Sequence, residues 1–149
     1  MKILLAVEGF RCAEIVRKAV IAQFKADNTE VRLVHALESF PVGLAEEMEG
    51  KDFPDFVAAR ARQRERLQKA FSEATDALKS AGFHVTSSVH EGDAREVILD
   101  CPDEWGADLI VVCSQGPKGL KRFLLGSVAE AVARHAHCSV EIIRIPSEQ

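Results

Sequence analysis

Apolar residues along this chain keep two rhythms, an unbroken or two-residue one and a helical one, and the two alternate from end to end. Residues 2–7, Lys2-Ile3-Leu4-Leu5-Ala6-Val7, hold nothing polar after the lysine, as expected of a strand buried on both faces of a parallel sheet. Over 11–26, Ile15, Val16, Ala19, Val20 and Ala22 recur at helical spacing, with Arg17, Lys18 and Lys25 turned outward. Residues 31–37 read as a second buried strand. The stretch 39–53 carries the turn signals Phe40-Pro41 and Val42-Gly43, and predicts a loop with one short helical turn. Pro54 suits the first turn of a long helix to residue 80, with Gly82 as its left-handed stop. Residues 83–89 alternate apolar and polar, as an edge strand does. Asp93 can cap a helix to about 101, where Pro102 offers no N–H to the carbonyl of Ile98 and predicts that the helix breaks or tightens. Residues 107–113 are the strongest strand, 114–126 a glycine-containing loop, 128–135 a helix and 139–145 the last strand. Strands joined by helices pair in parallel through right-handed crossovers, so residues 1–149 are expected to form one α/β domain, a doubly wound three-layer sandwich.

Composition narrows the function more than the fold. Of 149 residues 47% are apolar, with Gly 9 and Pro 5, which excludes a disordered or low-complexity chain. Lys+Arg total 19 against Asp+Glu 23, a balance that disfavours nucleic acid as the partner. No run approaches a membrane span and the apolar start is cut short by Glu8, so a soluble cytoplasmic protein is expected. Cys12, Cys101, Cys113 and Cys138 form no C-x-x-C pair and have apolar neighbours, which reads as four free thiols in a reducing compartment. His135, His137 and Cys138 should diverge between a helix end and a strand start, so no metal is expected there. Arg60, Arg62, Arg64 and Arg66 share no helix face and read as solvated, with Glu65 and Lys69 paired at i, i+4. His35 and Trp105 read as structural.

Ligands of open α/β sheets sit beyond the carboxyl ends of the strands. Of those ends, only Cys113-Ser114 opens a glycine-containing loop that runs into a helix. Gly116 and Gly126 would let backbone N–H groups approach a phosphate, and Ser127 would stand at the positive end of the helix. Lys118, Lys121 and Arg122 add three cations nearby. The run Ser127-Val128-Ala129-Glu130 is equally an ordinary capping box, which needs no ligand. Neither G-x-x-x-x-G-K-[ST] nor G-x-G-x-x-G occurs, and the chain has no G-x-S-x-G elbow or paired carboxylates at a strand end, so a non-enzyme is expected.

At this loop the sequence becomes recognisable. Ala107-Asp108-Leu109-Ile110-Val111-Val112-Cys113-Ser114-Gln115-Gly116, then nine residues, then Gly126-Ser127-Val128-Ala129-Glu130, resembles the universal stress protein family. So do Ile3-Leu4-Leu5-Ala6-Val7-Glu8-Gly9, His35, Gly92-Asp93 and Ala136-His137-Cys138-Ser139-Val140. The resemblance implies a five-stranded parallel sheet of order 3-2-1-4-5, the adenine nucleotide alpha hydrolase-like fold. It also implies ATP binding, with Mg²⁺ as a candidate companion, and a homodimer paired through the last strand at Val140, Ile142 and Ile143. Carried over by position, Gly116, Gly126 and Ser127 would hold phosphates and Val128 would give a backbone N–H. Glu8 would lie near the ribose or a metal, Ala36 would meet adenine through its backbone, and Ala6, Val7 and Cys113 would flank the site. The chain departs from the family pattern at Cys113, where a glycine is usual, at Glu8 for aspartate, and at Phe10 for a small hydroxyl residue. Two readings follow: an ATP-binding regulatory protein of the stress response, or a nucleotide-free dimeric interaction module.

Overall fold

A computed structural model describes residues 1–38, 47, 52–114 and 125–146. Its elements are β1 (Lys2–Ala6), α1 (Phe10–Gln23), β2 (Glu30–Leu37), α2 (Asp52–Ser80), β3 (His84–Glu91), α3 (Ala94–Trp105), β4 (Leu109–Ser114), α4 (Ser127–His135) and β5 (Ser139–Arg144). The five strands lie in the order β3-β2-β1-β4-β5, all parallel, as the resemblance implied. β1 is central, with Leu5 level with Leu33 on one side and Val111 on the other. That position explains why its sequence is apolar without alternation.

The two-residue period of the strands sorts the core into two layers. Ile3, Leu5, Leu33, Val111 and Cys113 point to one face, where Ala13, Val16 and Val20 of α1 and Ala74 and Leu78 of α2 cover them. Leu4, Ala6, Val34, Ile110 and Val112 point to the other, under Val97 and Ile98 of α3 and Ala129 and Val132 of α4. Each fully buried Leu or Ile contributes about 1.5–3 kcal/mol, so the burial of β1 alone outweighs any single surface ion pair. Only the second half of α2 reaches the core. On the exposed side of that half, Lys69 meets Glu73 at 4.0 Å instead of pairing back to Glu65.

Three local expectations need correction. Of the two outcomes expected at Pro102, the break does not occur: helix α3 runs on to Trp105. Pro102 sits in the last turn, so a single i→i−4 bond is lost, and its own carbonyl accepts from Gly106 N (2.8 Å) and Ala107 N (2.9 Å). Gly106, at φ 78°, then supplies the left-handed stop. The capping box at α4 does not form: the N-cap is Gly126, and Ser127 is the first helical residue. Finally, two of the four cysteines are not free. Cys12 and Cys113 form a disulfide with Cα atoms 5.9 Å apart, while Cys101 and Cys138 remain thiols. Most of the expected loop 39–53 lies outside the described residues.

Candidate functional site

The chain leaves β1 toward β2 on one side, and β4 lies on the other, so a crevice opens above the carboxyl ends of β1 and β4. Two helices start at this edge. Behind β1, α1 begins after Gly9; behind β4, α4 begins after Gly126. Both N-caps are glycines in extended backbone, and neither helix has a side-chain cap hydrogen bond. First-turn N–H groups and the positive ends of two helix dipoles are therefore directed at one edge, the chemistry that holds an anion.

Ser114 organises the β4 side. It is buried, its hydroxyl accepts from Gly126 N at 3.1 Å, and its carbonyl accepts from Ile145 N at 3.1 Å. Sequence reasoning did not assign Ser114 to the site, because its partner stands twelve residues away across the loop. Next to it, Cys113 turns its sulfur toward Cys12 in the first turn of α1, on the face opposite α4. A small cavity of about 210 Å³ lies at this junction, lined by Glu8, Gly9, Phe10, Cys12, Cys113 and Ile145 among others.

On the β2 side, a larger cavity of about 740 Å³ runs between Glu8-Gly9-Phe10, the end of β2 and the exposed flank of α2. Leu37, Leu67 and Phe71 give it an apolar floor; Arg60, Arg64 and Gln63 give it a polar rim. His35 lines it with its Nδ1 2.7 Å from the carbonyl of Val7. A carbonyl can only accept, so the proton sits on Nδ1, and His35 is a satisfied histidine as expected. Glu8 borders both cavities. Its side chain is exposed at the surface, and partial desolvation by the cavity walls, then the negative charge of Glu38, push its carboxyl above the ordinary value.

The other expected site residues fall unevenly around this crevice. Ala6 and Val7 are buried, so their main chains alone can face a ligand. Ala36 is half-buried and packs toward the α3–α4 layer. Ser127 is exposed at the start of α4, and Val128 packs beneath it. Phe10 begins α1 with half its surface exposed and Arg66 over its ring at 5.9 Å. Gly116, Lys118, Lys121 and Arg122 lie outside the described residues.

These features define an open α/β protein with an anion-directed crevice at its topological switch point. The sequence profile of the universal stress protein family matches residues 1–144, and the chain belongs to that family. A universal stress protein of Methanocaldococcus jannaschii is 28% identical over 149 residues, covering 99% of this chain and 84% of the relative. Among solved structures, hypothetical protein MJ0577 superposes with a TM-score of 0.70 at 26% identity, covering 99% and 97% of the two chains. A universal stress protein in complex with cAMP (TM-score 0.62, 23% identity, 96% and 95% covered) has the same fold. So does a family member from Arabidopsis thaliana with AMP bound (0.63, 19%, 99% and 93%). Among the described residues, no helix is long and apolar enough to cross a membrane.

Proposed function

We propose that this chain is a regulatory protein that binds an adenine nucleotide, ATP first among candidates, in the crevice between β1 and β4. The observation that carries the reading is the pair of glycine-capped helix N-termini, α1 and α4, opening on one edge of the sheet. Solved proteins of this fold that hold cAMP and AMP support an adenine nucleotide over other anions. In this reading the first-turn amides, those of Ser127 and Val128 included, take the phosphates. Glu8 takes a ribose hydroxyl or an accompanying Mg²⁺, and the larger cavity beside β2 takes the base end, in reach of the Ala36 main chain. Its volume is within the range of small-molecule sites, roughly 300–1,000 Å³. In this reading Glu8 holds the ribose or the metal and His35 is tied to the Val7 carbonyl, so the protein acts as a sensor rather than an enzyme.

Calorimetric titration with ATP, with and without Mg²⁺, tests it, together with mass spectrometry of the denatured protein for nucleotide carried through purification. No heat at millimolar ATP and no carried nucleotide would overturn it. That outcome would favour the nucleotide-free interaction module, the reading supported by the engagement of the Gly126 amide with Ser114. We further propose a cytoplasmic homodimer paired along β5. Its Val140, Ile142 and Ile143 are half-buried in the isolated chain, and β5 is an edge strand, which invites pairing. Sedimentation at micromolar concentration that found monomer alone would reject the dimer.

A further inference from the structure

The crevice has a covalent link across it that the nucleotide reading does not use. Cys12 lies in the first turn of α1 and Cys113 is the next-to-last residue of β4, and their disulfide joins positions 101 residues apart. From Cys113 the connection goes on through one peptide bond to Ser114 and through the Ser114 hydroxyl to the amide of Gly126. One disulfide, one peptide bond and one hydrogen bond thus tie the N-terminus of α1 to that of α4. Those are the two groups that face the anion.

We propose that Cys12 and Cys113 are a reversible thiol–disulfide site that sets the affinity of this crevice for its nucleotide, the disulfide form binding more tightly; the proposal rests on the nucleotide reading above. The bond is not needed to bring β1 and β4 together, since Ile3, Leu4 and Leu5 already pair with Leu109, Ile110 and Val111. What it fixes is the spacing of the two helix starts. Reduced sulfurs must move apart from bonded to non-bonded contact. The turn at Glu8-Gly9-Phe10 and the end of β4 then hold their spacing by packing and by the exposed hydrogen bond from Arg11 to the Pro146 carbonyl (2.9 Å), and preorganisation for the phosphates weakens.

Position favours this pair. Both residues border the small cavity at the crevice mouth but are themselves buried, so exchange with a low-molecular-weight thiol proceeds through local opening of that junction. Cys101 and Cys138 lie in the other layer and remain thiols, so Cys12 and Cys113 are the bonded pair. A chain with two free thiols and one bonded pair is not a disulfide scaffold, and disulfides of reducing compartments are mostly redox-sensing or catalytic. The reaction is exchange with a small disulfide, RSSR. One cysteine thiolate attacks RSSR and expels one thiolate; the second cysteine then displaces the other. The pair loses two electrons and two protons overall, and RSSR becomes two RSH.

The test is ATP titration of the full chain equilibrated in reduced and in oxidised glutathione, with mass spectrometry after alkylation reporting the state of each cysteine. The disulfide form is expected to bind ATP at least about five-fold more tightly, the lower end of ordinary coupling between sites. By reciprocity, saturating ATP should shift the thiol–disulfide ratio by the same factor. The double variant Cys12→Ala/Cys113→Ala should bind with the weaker affinity in both buffers. Equal affinity of the two confirmed states would overturn the proposal and leave the nucleotide reading intact. Cys12 and Cys113 remaining reduced in oxidised glutathione would do the same. No ATP binding in either state would instead overturn the nucleotide reading, and this proposal with it.

Discussion

Trp105 gives the sharpest test of the packing, because it closes α3 at the amino edge of the sheet, away from the crevice. Two cations lie over its ring: the Arg32 guanidinium at 4.5 Å and the Lys2 ammonium at 5.4 Å from the centroid. Lys2 also donates to the Trp105 carbonyl at 3.1 Å, and its backbone N–H to Asp108 at 2.8 Å, so β1, β2 and the end of α3 are joined at one point. Each cation over a partly exposed aromatic face is worth about 0.5–1 kcal/mol. Trp105→Leu keeps an apolar side chain and should cost about 1–2 kcal/mol through the two lost cation contacts. Trp105→Ala also removes half-buried apolar surface, and should cost about 2–3 kcal/mol, below the 3–5 of a fully buried ring. The sequence has one Trp and no Tyr, so unfolding in urea must be followed by circular dichroism, not intrinsic fluorescence. A double-mutant cycle of Trp105→Leu with Arg32→Ala should show a coupling of about 0.5–1 kcal/mol. Additivity to within about 0.3 kcal/mol would refute the cation–ring contact. A change in ATP affinity in Trp105→Leu would refute the separation of the two edges.

Other substitutions probe the crevice edge. Gly92→Ala places a side chain at φ 140°, with its Cβ 3.4 Å from Val97 Cγ2, and should lower stability by about 1–3 kcal/mol; an unchanged urea midpoint would contradict the backbone reading. Reduction of the Cys12–Cys113 bond opens a loop of 101 residues in the unfolded chain, which chain entropy values at about 4–5 kcal/mol; a midpoint indifferent to reductant would mean the bond is not formed in solution. Glu8 has a folded pKa above its ordinary 4.5, so the folded state holds the proton longer and stability falls as pH rises through 4.5 toward the raised value. Glu8→Gln should therefore stabilise the protein at neutral pH and lose that advantage below about pH 4, where the unfolded carboxyl is protonated too. A Gln variant less stable than the parent at pH 7 would reverse the sign of this argument.

What the sequence made legible depended on how far apart the interacting residues stand. The strands, the two-sided burial of β1 and the left-handed stop near Gly82 are written in neighbouring residues, and they appear where the pattern puts them. Position-by-position likeness gave the strand order, which local pattern cannot give. The contacts that shape the site are long-range: Cys12 to Cys113, Ser114 to Gly126, His35 to Val7. Residue types alone did not call for them. Cys113 shows how the error arose. Standing where the family has a glycine, it reads as a flank of the phosphate loop, because a linear motif assigns every residue to the loop it precedes. The strand period says otherwise: Val111 and Cys113 face α1, while Val112 and Ser114 face α4. Alternation therefore sends the sulfur away from α4 and toward the helix that carries Cys12. Applied one residue further along β4, the rule that separated the two core layers would have marked Ser114 as the residue under the loop and Cys113 as a partner in search of a second sulfur.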